Sequence, residues 1–182
     1  MTHNYKWGEQ ARLDQLPPEE KSWAIWLTVA GRGFGKTRMM AEYIREQARK
    51  PNTRILLFSD RLTMTLDGLI EGESGILAVH PESDKLKYLP ARRQILWPNG
   101  SSATLVSLKD PDSTRGLTGE IGIGDDIDSW SREMYTNARM AIRLGREPHL
   151  ILGSYTHDTP VIRDIVFEQW VNPGTIHITK AY

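Results

Sequence analysis

The chain has 182 residues, the length of one ordinary domain, and its 23 basic and 23 acidic residues cancel in formal charge. The absence of cysteine excludes disulfides, thiolate metal sites and a cysteine nucleophile. Residues 1–23 lack the apolar core of a signal peptide, and no apolar run approaches the ~20 residues that span a bilayer. We therefore expect no membrane partner, while the neutral charge balance argues neither for nor against nucleic acid.

The N-terminal third of the chain predicts a lead-in, a strand, a loop and a helix. Residues 10–21 contain two adjacent prolines and predict an irregular segment. The apolar run 23–29 predicts a buried strand, since its only polar residue is a threonine. A glycine-rich loop follows, and apolar residues at helical spacing then predict a helix that ends before Pro51.

The rest of the chain alternates between strand and helix patterns. The predicted strands cover residues 54–58, 93–97, 102–106, 121–124, 150–152 and 175–179, and the predicted helical segments cover 62–79, 131–144 and 160–170. Asn99-Gly100 between two of these strands indicates a hairpin. The alternation predicts an α/β fold with a mostly parallel central sheet flanked by helices, and the hairpin predicts an antiparallel addition at one edge.

The loop between the first strand and the first helix has the Walker A pattern. It reads Ala30-Gly31-Arg32-Gly33-Phe34-Gly35-Lys36-Thr37, with alanine where the strict pattern has its first glycine. Glycines allow backbone N–H groups to turn toward phosphates, and the helix that follows adds its positive N-terminal end. Lys36 would reach the β and γ phosphates, Thr37 would ligate Mg²⁺, and Arg32 would add a second cation. The sequence therefore predicts Mg-ATP binding, against the alternative of a glycine-rich turn with an incidental lysine.

Two aspartates follow the weak strand 121–124. A phosphate-loop site needs a carboxylate on the magnesium side, and an ATPase also needs one that orients water. We assign the first role to Asp125 and the second to Asp126. The alternative interpretation is a solvated Asp-Asp turn, because the strand is short and half glycine.

Taken in order, these motifs resemble the N-terminal motor ATPase domain of the large terminase subunit of tailed bacteriophages. The resemblance runs from about residue 15 to 165 and lies in segments 15–18, 23–27, 31–38, 71–79, 97–100, 112–116, 125–130 and 143–145. It implies a RecA-like (ASCE) P-loop fold over residues 1–182, with residues 1–22 as lead-in. It also implies hydrolysis of Mg-ATP to translocate double-stranded DNA into a procapsid.

The resemblance also implies roles for individual residues. Gln15 corresponds to the adenine-side residue, and Arg38 closes the family's form of Walker A. Arg115 corresponds to the arginine that reaches the site of a neighbouring subunit, where it would stabilise the transferred phosphoryl group. Ser154 lies where the family has a polar motif that couples hydrolysis to movement.

The implied assembly is a homo-oligomeric ring of about five subunits, with the isolated domain a monomer. Its partners would be double-stranded DNA, the portal and the small terminase subunit. It would act in the cytoplasm of the infected bacterium, docked on the portal of the procapsid.

Two departures from the family qualify this expectation. The family usually has glutamate where Asp126 stands, and a carboxylate displaced by about 1 Å can cost on the order of 100-fold in rate. The nuclease domain that normally follows is absent from this sequence. Three alternatives stay open: another DNA-directed P-loop ATPase such as a helicase core, a small-molecule kinase, or a nucleotide-binding assembly module with weak turnover.

Overall fold

The computed structural model describes residues 7–19, 23–155 and 158–181, so residues 1–6 and 20–22 of the predicted lead-in lie outside the described residues. Within these ranges, eight strands form one sheet: β1 Ile25–Ala30, β2 Arg54–Ser59, β3 Lys87–Leu89, β4 Gln94–Leu96, β5 Ser102–Ser107, β6 Ile121–Gly124, β7 His149–Ser154 and β8 Ile176–Ala181. The same described residues form five α-helices: α1 Lys36–Gln47, α2 Leu62–Thr65, α3 Ile76–Val79, α4 Arg132–Ala141 and α5 Pro160–Val171. None of the helices in the described ranges has the length and apolar character of a membrane span.

The strand order is β3-β4-β5-β2-β6-β7-β1-β8. All neighbours pair in parallel except β3 with β4 and β4 with β5. The predicted hairpin is thus confirmed, but β5 also pairs in parallel with β2 and lies inside the sheet. The sequence patterns missed β3, which forms the outer edge.

Helices cover both faces of the sheet and create two cores. Every residue of β1 is buried, and its side chains alternate between the cores. Trp26 packs with apolar residues of α1 and α3, whereas Leu27 and Val29 pack with residues of α4 and α5. Burial on both faces explains why this strand appears as a nearly continuous apolar run.

Several predicted boundaries differ from the structure. The predicted helix 131–144 ends at Ala141, because Ile142 leaves the helix and forms a β-bridge with Gly119. The predicted helical segment 62–79 is divided into α2, a π-helical turn at Leu66–Ile70 and α3, which begins after Gly75. The lead-in contains short 3₁₀ turns rather than being wholly irregular.

The glycines of β6 are explained by close packing. A Cβ atom at Gly122 would lie 2.7 Å from side-chain atoms of both Ile142 and Leu150. A Cβ atom at Gly124 would lie 2.6 Å from Cη2 of Trp130. Half of this strand is glycine because the segments at both ends of α4 contact its backbone.

Gly124→Ala should therefore destabilise the fold. The added methyl group must displace the buried indole of Trp130, and overpacking of this kind costs about 1–3 kcal/mol. Gly8→Ala is the matched control, because no atom lies within 4 Å of its added Cβ. Denaturant unfolding of both variants measures the difference, and equal free energies of unfolding would show that the β6 packing is loose.

His80 links α3 to the segment after β4. The buried ring has Nδ1 2.7 Å from the Ile76 carbonyl, to which it donates, and its Nε2 accepts a 3.1 Å bond from Nε1 of Trp97. Burial lowers the pKa of His80; the Ile76 carbonyl and Asp84 oppose this effect, while the charges of Arg45 and Arg49 reinforce it. The bond from Trp97 requires an unprotonated Nε2, so protonation of the ring would break it, whereas the bond to Ile76 would remain.

This arrangement predicts a pH-dependent contribution to stability. The folded-state pKa of His80 lies below its unfolded value of about 6.5, so the unfolded chain binds the proton first as pH falls. The contribution is complete above that unfolded value and is lost as pH falls toward the folded one. Between pH 7.5 and pH 5.5, urea unfolding should show a larger fall in the free energy of unfolding for the parent than for His80→Gln. Equal falls in both proteins would contradict the pH-dependent role of His80. His177→Gln serves as the control and should behave like the parent.

Candidate functional site

The predicted phosphate loop lies at the carboxyl edge of the sheet, between β1 and α1. Gly33 and Gly35 have φ values of 82° and 87°, a region that favours glycine. Gly35 is the N-cap of α1, and no side chain caps that end of the helix. The N-terminal amides of α1 are therefore available to an anion.

Lys36 is folded back onto this loop. Its Nζ donates to the Ala30 carbonyl at 2.5 Å and the Gly31 carbonyl at 3.2 Å, and only 4% of the residue is exposed. Its ammonium also lies 3.6 Å from the ring centroid of Tyr155. Burial lowers the pKa of Lys36, and the negative charges that oppose this effect are those of Asp125, Asp128 and Asp126.

The structure brings Thr37 and Asp125 together. The Thr37 hydroxyl donates a 2.7 Å bond to Oδ2 of Asp125, which follows the last residue of β6. Burial raises the pKa of Asp125, although the bond from Thr37 and the charge of Lys36 oppose the rise. Within the described part of the chain, its buried Oδ1 has no hydrogen-bond partner.

These groups fit a magnesium ion coordinated from one side. A hydroxyl and a carboxylate oxygen are hard donors of the kind that Mg²⁺ prefers, and Mg²⁺ usually takes its remaining ligands from water and phosphates. The described ranges contain no group of three or more His, Asp or Glu side chains that could hold a metal without such help. Thr37 and Asp125 are therefore suited to a metal that arrives with a nucleotide.

Asp126 points toward a different partner. Its backbone is left-handed, with φ 60° and ψ 62°, and Nη2 of Arg61 lies 3.0 Å from its Oδ2. Burial is the main cause that raises the pKa of Asp126. A hydrogen bond with Asp128 and the negative charge of Asp128 raise this pKa further, whereas the positive charge of Arg61 lowers it. The role of Asp126 in orienting water stays a prediction.

Ser154 is joined to the same acidic segment. Its fully buried hydroxyl, at the end of β7, donates a 2.9 Å bond to Oδ1 of Asp128. The backbone N–H of Tyr155 donates a 3.0 Å bond to the other oxygen, Oδ2. Ser154 thus connects β7 to the loop after β6, and its predicted role in coupling hydrolysis to movement stays a prediction.

Gln15 supports the phosphate loop from the lead-in. Its side chain is buried, and Nε2 donates a 2.7 Å bond to the Phe34 carbonyl. The same carbonyl accepts a bond from Arg12. On its other side Gln15 borders a cavity of ≈ 420 Å³ that Trp7, Trp26 and ten other residues also line. Contact between Gln15 and an adenine base stays a prediction.

The predicted arginines lie on the surface around the loop or away from it. Arg32 is exposed on the loop, and Arg38 pairs with Glu42 at 2.8 Å along α1. Arg115 follows the 3₁₀ turn at 111–114, pairs with Asp112 at 2.8 Å, and its side chain is 79% exposed. The structure does not bring Arg115 to the other predicted residues of its own chain, and its role in a neighbouring site stays a prediction.

Sequence reasoning missed Arg61, Asp128 and Tyr155. Arg61 lies just beyond β2, Asp128 beyond β6 and Tyr155 beyond β7. The three strands are neighbours in the sheet and parallel, so their carboxyl ends meet at one edge. Polar residues immediately after predicted parallel strands were the signal that could have identified them.

Asp125→Asn should separate stability from function. The amide removes a buried charge whose folded-state pKa is raised, yet it can still accept the bond from Thr37. A raised carboxyl pKa destabilises the fold as pH rises above the unfolded value of about 3.9. The variant should therefore melt at a higher temperature than the parent at pH 7, without nucleotide. Magnesium should no longer strengthen its nucleotide binding. Asn137→Asp, on half-buried Asn137 of α4, is the control. A lower melting temperature would contradict the assignment.

Comparisons with known proteins give matches at the level of structure. No family model matches the sequence, and no curated protein matches it. The large terminase of a thermophilic bacteriophage superposes with a TM-score of 0.69 at 10% identity, over 88% of this chain and 40% of that one. The HK97 bacteriophage large terminase superposes with a TM-score of 0.66 at 15% identity, over 86% of this chain and 35% of that one. This chain thus spans less than half the length of these two terminase chains.

A third structure is limited to one domain. The ATPase domain of the Thermus phage P74-26 large terminase gives a TM-score of 0.64 at 13% identity, over 91% of this chain and 81% of that one. The first of the three terminases has also been solved in complex with ADP and with ATP-gamma-S. The fold of this chain is the RecA-like fold of the ATPase domains of phage large terminases.

Proposed function

We propose that this chain is the ATPase motor domain of a viral DNA-packaging terminase. It would hydrolyse Mg-ATP and use the energy to move double-stranded DNA into a procapsid. The observation that carries the proposal is the bond between Thr37 and Asp125 beside the buried Lys36, because it assembles the phosphate and metal ligands of a P-loop ATPase at one edge of the sheet.

Each of these residues has a chemical task. Lys36 and the loop amides would bind the β and γ phosphates, and Thr37 with Asp125 would hold Mg²⁺. A magnesium ion held there would supply positive charge that offsets the negative charge of the phosphates. Asp126 would orient the attacking water, with its carboxylate held by Arg61 at 3.0 Å.

The proposed turnover is slow in the isolated domain. Asp126 is one methylene shorter than the glutamate that the resemblance leads us to expect, and Arg61 already occupies one of its oxygens. A nucleophile held about 1 Å from its best position can lose on the order of 100-fold in rate. This geometry also favours a second candidate function, a nucleotide-binding assembly module that binds ATP with almost no turnover.

The proposed assembly completes the site between subunits. Arg115 is exposed and its ion pair with Asp112 lies at the surface, so the guanidinium is accessible to another copy of the chain. We propose a ring of about five subunits that act with double-stranded DNA, the portal and the small terminase subunit. Its place would be the cytoplasm of the infected host, on the portal of the procapsid.

Steady-state ATP hydrolysis over a wide range of protein concentration tests the proposal. Activity per subunit should rise with concentration, because a neighbour supplies Arg115 only in the assembled state. Arg115→Ala should remove the rise, since an arginine supplied in trans contributes about 10³-fold in rate. Lys36→Ala is the blank, and it should also lose most nucleotide affinity.

The control is Arg163→Ala. Arg163 is likewise an exposed arginine paired with an aspartate, Asp158, and its side chain is 67% exposed. This variant should keep the concentration dependence of the parent. If activity per subunit exceeds that of Lys36→Ala but does not change with protein concentration, Arg115 has no role in a neighbouring site. Nucleotide binding without turnover at any concentration would favour the assembly module.

A further inference from the structure

The ammonium group of Lys36 lies against three groups of the protein. An ammonium group has three donors, and two of them are used by the carbonyls of Ala30 and Gly31. The face of the Tyr155 ring lies 3.6 Å from Nζ, inside the ~6 Å limit for a cation–π contact. A phosphate that binds this ammonium therefore competes with these partners.

The ring of Tyr155 is the partner that can leave most easily. The two carbonyls belong to the backbone of β1 and the loop, whereas Tyr155 is 44% exposed. Since the core does not enclose this side chain, its position depends on how its backbone is held. That backbone directly follows the last residue of β7.

Asp128 holds the backbone of Tyr155. Its Oδ2 accepts the Tyr155 N–H at 3.0 Å, and its Oδ1 accepts the Ser154 hydroxyl at 2.9 Å. A carboxylate that accepts one bond on each oxygen fixes both consecutive residues at once. Neither of these hydrogen bonds joins Asp128 to the phosphate loop. They can influence the position of Lys36 only by fixing the Tyr155 ring that lies against it.

We propose that Asp128 is a positioning residue that acts through Tyr155 and holds the aromatic ring over Lys36. Nucleotide phosphates and the ring then compete for the same ammonium. The proposal rests on the assignment of Lys36 to phosphate binding, and it adds a second residue pair that controls access to that lysine.

Competition has a direct consequence for affinity. Removing the ring should strengthen binding, because phosphates no longer have to displace a cation–π contact. An exposed contact of this kind corresponds to about a two- to fivefold change in an equilibrium constant. Releasing the ring by changing Asp128 should act in the same direction.

Calorimetric titration of the whole chain with Mg-ATP and Mg-ADP tests these expectations. Tyr155→Ala should bind both nucleotides about two- to fivefold more tightly than the parent. Tyr155→Phe keeps the ring face and should restore the parent affinity. Asp128→Asn, which keeps the size of the side chain, should also bind more tightly. The gain of the double variant should be smaller than the sum of the two single gains, because both changes release the ring; what Asp128→Asn adds beyond Tyr155→Ala reports the negative charge of Asp128 near Lys36.

Several outcomes would overturn the proposal. Weaker binding by Tyr155→Ala would mean that the ring supports the nucleotide rather than competing with it. Unchanged or weaker binding by Asp128→Asn, or additive gains in the double variant, would show that Asp128 does not act through Tyr155. Phe167→Ala removes an exposed aromatic ring of α5 and should change nothing.

One further comparison separates this proposal from the proposed function. If the parent binds nucleotide and Lys36→Ala does not, the phosphate site is established, and the Tyr155 and Asp128 variants then decide the positioning role. If Lys36→Ala binds as tightly as the parent, the phosphate site itself is wrong and the positioning role fails with it.

Discussion

Lys36 and Asp125 both pack against Gly153, a position of β7 that has no side chain. Thr37 follows β1 and Asp125 follows β6, and β7 lies between these two strands. A Cβ atom on Gly153 of β7 would lie 3.2 Å from Oδ1 of Asp125, 3.5 Å from Cδ of Lys36 and 2.7 Å from Cε of Met40. The close approach of Lys36 and Asp125 across β7 therefore favours glycine here, because an added Cβ would displace Met40 and press on the carboxylate.

That approach places opposite charges in a poorly solvated site. Burial lowers the pKa of Lys36 and raises that of Asp125, and each charge opposes the shift of the other. Uncompensated buried charges are costly, so pairs of this kind are retained mainly where a ligand or reaction uses them. Among the described residues, the buried Oδ1 of Asp125 has no hydrogen-bond partner and faces Gly153, whereas its Oδ2 is the oxygen that Thr37 contacts.

The remaining polar contacts connect neighbouring strand ends around this centre. Arg61 after β2 pairs with Asp126 after β6, and Asp128 holds Tyr155 after β7. Tyr155 in turn covers Lys36 at the start of α1. A change at the phosphate loop can therefore reach β7, and through it the connection to α5, by way of a few direct contacts.

The sequence by itself determined the features that depend on neighbouring residues. Glycine spacing before Lys36-Thr37, apolar runs and the Asn99-Gly100 turn are local signals, and the structure confirms the loop geometry, the mostly parallel sheet and the hairpin. The aspartates after β6 were also identified, since a strand end is visible in the local pattern. Their individual roles stay predictions.

Only the tertiary structure decided which distant residues meet. The partners of Asp126 and Tyr155 lie 65 and 27 residues away along the chain, and no local pattern contains that information. The need for glycine in β6 and at Gly153 likewise comes from side chains that other segments place against these strands. Propensity and periodicity describe single elements, whereas the order of parallel strands in the sheet brings their ends together at one edge.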